Sequence, residues 1–173
     1  MLLRLWRIII PIRPMPIIEF DEARWCQLKE CFVYIETSLK WPKHGDGIVG
    51  LIFTDQDDEF SKTLFGKVQD ASEYQAILIG LKNAFQYVGG FDVIHVHLSN
   101  SNVAGNFRML PSWEANGFKN SKGEELKCSA EWQEIAKLTK SKKIQIHLQE
   151  FNGYRKWLKN ECDTRGRKHG FIL

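Results

Sequence analysis

Apolar and polar positions change period several times along the chain, and each change marks an element. FVYIETS, 32–38, is a β-rich run that ends in polar residues. Lys40 to Gly47 holds Pro42, Gly45 and Gly47 and reads as a turn. GIVGLIFTD, 47–55, reads as a second strand, DDEF as a turn, and SKTLFGKV, 61–68, as a third strand. Together they predict an antiparallel meander. ASEYQAILIGLKNAFQYV, 71–88, then places Tyr74, Ile77, Leu78, Leu81, Ala84, Phe85 and Val88 at helical spacing, and Gly89-Gly90 stops the helix.

FDVIHVHL, 91–98, follows as a buried strand that runs out into Ser99, Asn100, Ser101 and Asn102. Residues 101–117 predict one or two short helices broken at Pro111, and GFKNSKGEELK is a polar loop. CSAEWQEIAKLTKS predicts a helix with Ser129 as its cap. KKIQIHLQEF alternates as a last strand, and a final helix covers about 155–166. The order β-β-β-α-β-α-α-β-α predicts an α/β fold: a mixed five-stranded sheet, three antiparallel strands and then two more, flanked by helices. Residues 21–30 read as a short helix or lead-in.

At 173 residues the chain suits one compact domain, with an extension over 1–30 and the domain over 31–173. Apolar and charged fractions are those of an ordinary globular protein, which excludes wholesale disorder. The net charge is only +3, yet its distribution is uneven. Residues 1–18 carry Arg4, Arg7 and Arg13 and no acid, and the tail from Arg155 carries six basic residues against Glu161 and Asp163. Basic ends on a near-neutral body suit a polyanion, and a solubilising surface explains them equally well. Cys26, Cys31, Cys128 and Cys162 form no CxxC pair, so the expectation is an intracellular, reducing compartment. Arg4, Arg7 and the prolines at 11, 14 and 16 leave MLLRLWRIIIPIRPMPII too short to span a membrane. Whether it is a transit-like segment or a Pro-rich arm stays open, and with it the choice among nucleus, cytoplasm and mitochondrion.

Five local stretches, in order, resemble the type 1 ribonuclease H domain, which cleaves the RNA strand of an RNA–DNA hybrid. The likeness runs from about Phe32 to Arg167. YIETS, 34–38, is similar to the family's first strand with its Asp-Gly-Ser turn, and GIVGLIF to its glycine-spaced second strand. ASEYQAILIGLKNAF resembles the helix that opens with a catalytic Glu. WEANGFKNSKGEELKCSAEWQEI, 113–135, resembles the tryptophan-containing basic protrusion, and NECD, 160–163, the last acidic motif.

The resemblance implies a ribonuclease H-like fold and hydrolysis by two divalent ions, Mg²⁺ or Mn²⁺, roughly 4 Å apart. Hard oxygen ligands from four carboxylates hold such ions. Carried over, the catalytic positions are Glu36, Glu73, Asn100 and Asp163, of which Glu36, Glu73 and Asp163 keep a metal-binding charge. Glu36 stands where the family has Asp, and its extra methylene displaces a ligand by about 1 Å, which can cost on the order of 100-fold in rate. Asn100 retains a carbonyl oxygen and loses the charge. Asp92 is no substitute, because eight residues of strand put it roughly 26 Å away. The nucleic-acid-binding positions carried over are Gln69, Trp113, Phe118, Lys119, Lys122 and Arg155.

Other departures lie in the same surface. Gln69, Asp70 and Ala71 replace residues that grip the hybrid, Thr37 replaces a glycine, Gly153 falls near a loop histidine of the family, and Glu124 and Glu125 dilute the protrusion's lysines. His95 and His97 share a strand face and read as a sheet-face pair, because no further ligands are placed for zinc. Trp132 reads as core. The leading expectation is a ribonuclease H-like domain that binds RNA–DNA hybrid or related nucleic acid, with nuclease activity lost or strongly reduced. An active hybrid endonuclease and a pseudoenzyme scaffold with a protein partner are the alternatives.

Overall fold

The computed structural model describes residues 29–148 and 152–170. The extension, apart from its last two residues, lies outside the described residues, as do the last three residues of the expected final strand.

Three strands open the domain: β1 (Glu30–Thr37), β2 (His44–Thr54) and β3 (Ser61–Ser72). Helix α1 (Glu73–Tyr87) and β4 (Val93–Leu98) follow, then the short helices α2 (Ser101–Phe107) and α3 (Leu110–Ala115). Helix α4 (Ser129–Thr139), β5 (Lys143–Leu148) and α5 (Gly153–Lys168) complete it. The five strands form one sheet in the order β3-β2-β1-β4-β5. β1–β2 and β2–β3 are antiparallel, and β1–β4 and β4–β5 are parallel. The chain therefore leaves β1 toward one edge of the sheet and β4 toward the other. The crevice between their carboxyl ends is the switch point at which α/β sheets commonly place ligands.

Period-two alternation sorts β1 between two layers. Val33 and Ile35 join the main core with Val49, Leu51, Phe53, Ile77, Leu81, Phe85 and Trp132. Tyr34 faces the other way, into a smaller cluster with Ile48, Ile52, Leu158 and Cys162 beneath α5. Glu36 shares that parity, so the sheet itself turns its carboxylate toward α5. Gly50 lets the helix approach, since a Cβ there would meet Leu158 Cδ1 at 2.6 Å and Cys162 Sγ at 2.9 Å.

Several boundaries differ from the sequence expectation for local reasons. β3 runs on to Ser72, because a register shift at Gly45/Gly47 and a positive φ of 47° at Asp70 let pairing resume at Ala71 and Ser72. Pro111 sits in the first turn of α3 and does not break a helix, since a missing N–H costs nothing there. The residue at the cap of α4 is Cys128, in the left-handed region, and Ser129 is the first helical residue without a capping role. The final helix is longer than expected at both ends, with Asn152 Oδ1 accepting from the Arg155 N–H.

Candidate nucleic-acid interface and metal site

Four segments meet at the carboxyl ends of β1 and β4. Parallel pairing sets Tyr34 beside His97, so two residues later Glu36 lies level with Ser99. Ser99 Oγ donates to Glu36 Oε2 at 3.4 Å. Glu73 opens α1 directly after β3, behind a capping box formed by Ser72 and Gln75, and its charge suits the positive helix terminus. Asn100 caps α2: its Oδ1 accepts from the Val103 N–H at 3.0 Å, which turns its Nδ2 toward Glu73 Oε1 at 3.1 Å. The second Glu73 oxygen accepts from the Trp41 N–H at 2.8 Å. Asp163, on α5, accepts from Lys159 Nζ at 2.7 Å. The same ammonium donates to the Thr37 carbonyl at 2.9 Å. The four positions thus gather at one end of the sheet in three hydrogen-bonded sets, Glu73 with Asn100, Glu36 with Ser99, and Asp163 with Lys159, which adjoin along the chain at 99–100 and 36–37.

Two cations were not expected within it. Arg155 Nε donates to Glu36 Oε1 at 2.8 Å, with the two side chains only 14% and 7% exposed. Arg155, expected to reach nucleic acid, turns inward instead, because α5 docks its Cys162 and Leu158 stripe on the sheet and carries Arg155 over Glu36. Burial pushes the Glu36 carboxyl above its ordinary range, and the hydrogen bond and charge of Arg155 offset part of that rise. The signal for Lys159 was present in sequence: 155, 159 and 163 recur every four residues and so share a helix face.

The residues present do not fit a two-metal centre. Glu36 and Asp163 already hold a guanidinium and an ammonium, and Glu73 holds an amide and a backbone N–H. Position 100 offers an uncharged amide whose Oδ1 already accepts from the Val103 N–H and whose Nδ2 faces Glu73. Among the described residues no group of three or more His, Cys, Asp or Glu side chains is placed to hold a metal ion.

The binding positions divide by exposure. Gln69, Lys119 and Lys122 are exposed, the last two on a tight turn held by Asn120, whose Oδ1 accepts from the N–H groups of Lys122 and Glu124. Phe118, expected to stack on nucleic acid, is instead 8% exposed and part of the main core. A left-handed φ of 57° at Phe118 turns the chain where the protrusion begins. Trp113 is partly buried and meets Trp132 edge-on at 5.4 Å. Trp132 is fully buried, and its Nε1 donates to Tyr74 Oη at 2.8 Å. Trp41, which the sequence did not single out, is 79% exposed and pinned by its backbone to Glu73, with Lys40 and Lys43 exposed beside it. His95 and His97 do share a sheet face, where they stack with Phe32, Tyr34 and His147 at centroid distances of 4.3 to 6.3 Å.

No protein-family model matches the sequence, and no curated protein does. Solved structures do. LC9-RNase H1, a type 1 RNase H with the type 2 active-site motif, superposes with a TM-score of 0.65 at 14% identity, over 81% of this chain and 73% of that one. The RNase H domain of PFV, the prototype foamy virus, gives 0.61 at 18% identity, over 81% and 94%. A foamy viral protease–reverse transcriptase in complex with RNA/DNA hybrid gives 0.62 at 15%, over 95% of this chain and 23% of that one. The chain has a ribonuclease H-like fold: a mixed five-stranded sheet flanked by helices.

Proposed function

We propose that this chain is a nucleic-acid-binding ribonuclease H-like domain whose hybrid-cleaving activity is lost or strongly reduced. The observation that carries the reading is Asn100, whose oxygen caps a helix and whose amide donates to Glu73, so that neither atom serves as an anionic ligand. The fold supports nucleic acid as partner, since a structural neighbour is seen with RNA/DNA hybrid. The exposed Lys119, Lys122, Arg167 and Lys168 supply phosphate contacts, and Trp41 supplies a face for a base. The free thiols at Cys31, Cys128 and Cys162 support a reducing compartment.

The test is a labelled RNA–DNA hybrid incubated with the natural chain in Mg²⁺ and in Mn²⁺, with binding followed across salt concentrations. The expected result is an intact RNA strand and an affinity that falls steeply with salt. Robust cleavage in either metal overturns the loss of activity. No binding even at low salt overturns the nucleic-acid partner and leaves a protein-interaction scaffold.

A further inference from the structure

Arg155, Lys159 and Asp163 follow one another at four-residue intervals on α5, and all three point into the crevice at the end of β1. Their contacts are short and multiple: 2.8 Å from Arg155 to Glu36, 2.9 Å from Lys159 to the Thr37 carbonyl, and 2.7 Å from Lys159 to Asp163. Cys162 Sγ adds a contact to the Glu36 carbonyl at 3.6 Å. Beyond these, α5 meets the sheet through a small apolar cluster of Tyr34, Ile48, Ile52, Leu158 and Cys162.

We infer that Arg155 and Lys159 take the place of metal cations in this site, so that its carboxylates clasp α5 to the sheet instead of ligating divalent ions. The inference rests on the reading of the site as catalytically silent and gives that silence a cause beyond Asn100. A carboxylate cluster built for Mg²⁺ is short of positive charge until the ion binds. Here the fold supplies that charge in cis, from a helix that must dock for the sheet's second face to be covered. A divalent ion approaching Glu36 or Asp163 meets a fixed cation first, and at the buried Glu36–Arg155 pair that repulsion is weakly screened by solvent. Removing the cations reverses the situation. Glu36 then keeps its burial and loses the counter-ion at 2.8 Å, the arrangement in which breaking one half of a buried pair destabilises most.

The test compares the natural chain with Arg155→Met, Lys159→Met and the double variant, by thermal unfolding in metal-free buffer and in millimolar Mn²⁺. Met keeps the aliphatic stem that packs on the helix and deletes only the charge. The natural chain is expected to unfold at the same temperature with and without Mn²⁺. The double variant is expected to unfold several degrees lower in metal-free buffer and to regain much of that loss in Mn²⁺, since a ligand that binds only the folded state stabilises it. If the double variant does not fold without metal, Lys159→Met on the half-exposed Asp163 pair gives the same comparison. A natural chain stabilised by Mn²⁺, or a cation-free variant indifferent to it, overturns the clasp. Cleavage of hybrid is scored on the same samples: a Mn²⁺-responsive natural chain that still does not cut sinks the clasp alone, whereas one that cuts sinks the functional reading itself.

Discussion

Glu36 shows how a single position acquires its chemistry from its surroundings. Strand parity faces it to α5, parallel register sets it beside Ser99, and α5 brings Arg155 to it. Burial is the largest influence on its acidity and acts against the ion pair. The native state therefore holds the Glu36 proton more tightly than the unfolded chain does. With more protons bound in the native state, stability falls as pH rises from about 4.5 through the raised native value. Glu36→Gln is expected to remove that part of the slope, and Arg155→Met to carry it to higher pH, as read by denaturant unfolding at a series of pH values. A slope unchanged by Glu36→Gln would assign it to another group. None of this was legible at position 36 in sequence, because the partner lies 119 residues away.

Among the elements, α5 and β2 depend on one glycine. Gly50 has the parity of Ile48 and Ile52 and sits under the helix, where Leu158, Cys162 and the Phe65 ring leave no room for a methyl group. Gly50→Ala is expected to cost about 1–3 kcal/mol by overpacking, measured as a lower denaturant midpoint. The helix that shifts to make room also carries Arg155 and Lys159, so the site loosens with it. The glycine spacing of the second strand was visible in sequence, and its reason was not. Periodicity likewise located the five strands and the three longer helices among the described residues, and left open whether 101–117 held one short helix or the two that form. It misplaced ends wherever local backbone decided, as at Asp70, Pro111 and Cys128.

Across the whole molecule, the surface proposed to face nucleic acid is narrower than the protrusion alone suggests. Phe118 belongs to the core and Trp113 is partly buried against it, while the lysines remain outside. Lys119→Ala and Lys122→Ala are each expected to weaken hybrid binding and to lower the salt slope by about one contact. Trp41→Ala is expected to weaken it about tenfold without changing that slope, since stacking carries no counterion release. Phe118→Ala is expected to cost about 3–5 kcal/mol of stability and to leave the affinity of the folded fraction unchanged. Fluorescence anisotropy titrations, with unfolding curves on the same variants, separate the two behaviours. A Phe118→Ala chain that folds normally and loses affinity would return that ring to the interface.

The sequence by itself determined the order of elements and the mixed sheet, which follow from periodicity and from local signals acting over a few residues. The positions that meet at the sheet's end came from the resemblance to the ribonuclease H family. The sequence also determined that position 100 carries no charge. Only the tertiary structure decided what the remaining charges do. Arg155 and Lys159 read in sequence as part of a basic tail, and become internal counter-ions because α5 packs Leu158 and Cys162 against β1 and β2. Phe118 reads as a surface aromatic in a polar loop, and becomes core because the chain turns at a left-handed residue. In each case the deciding interaction joins segments far apart in the chain, and its energy exists only once the sheet has brought them together.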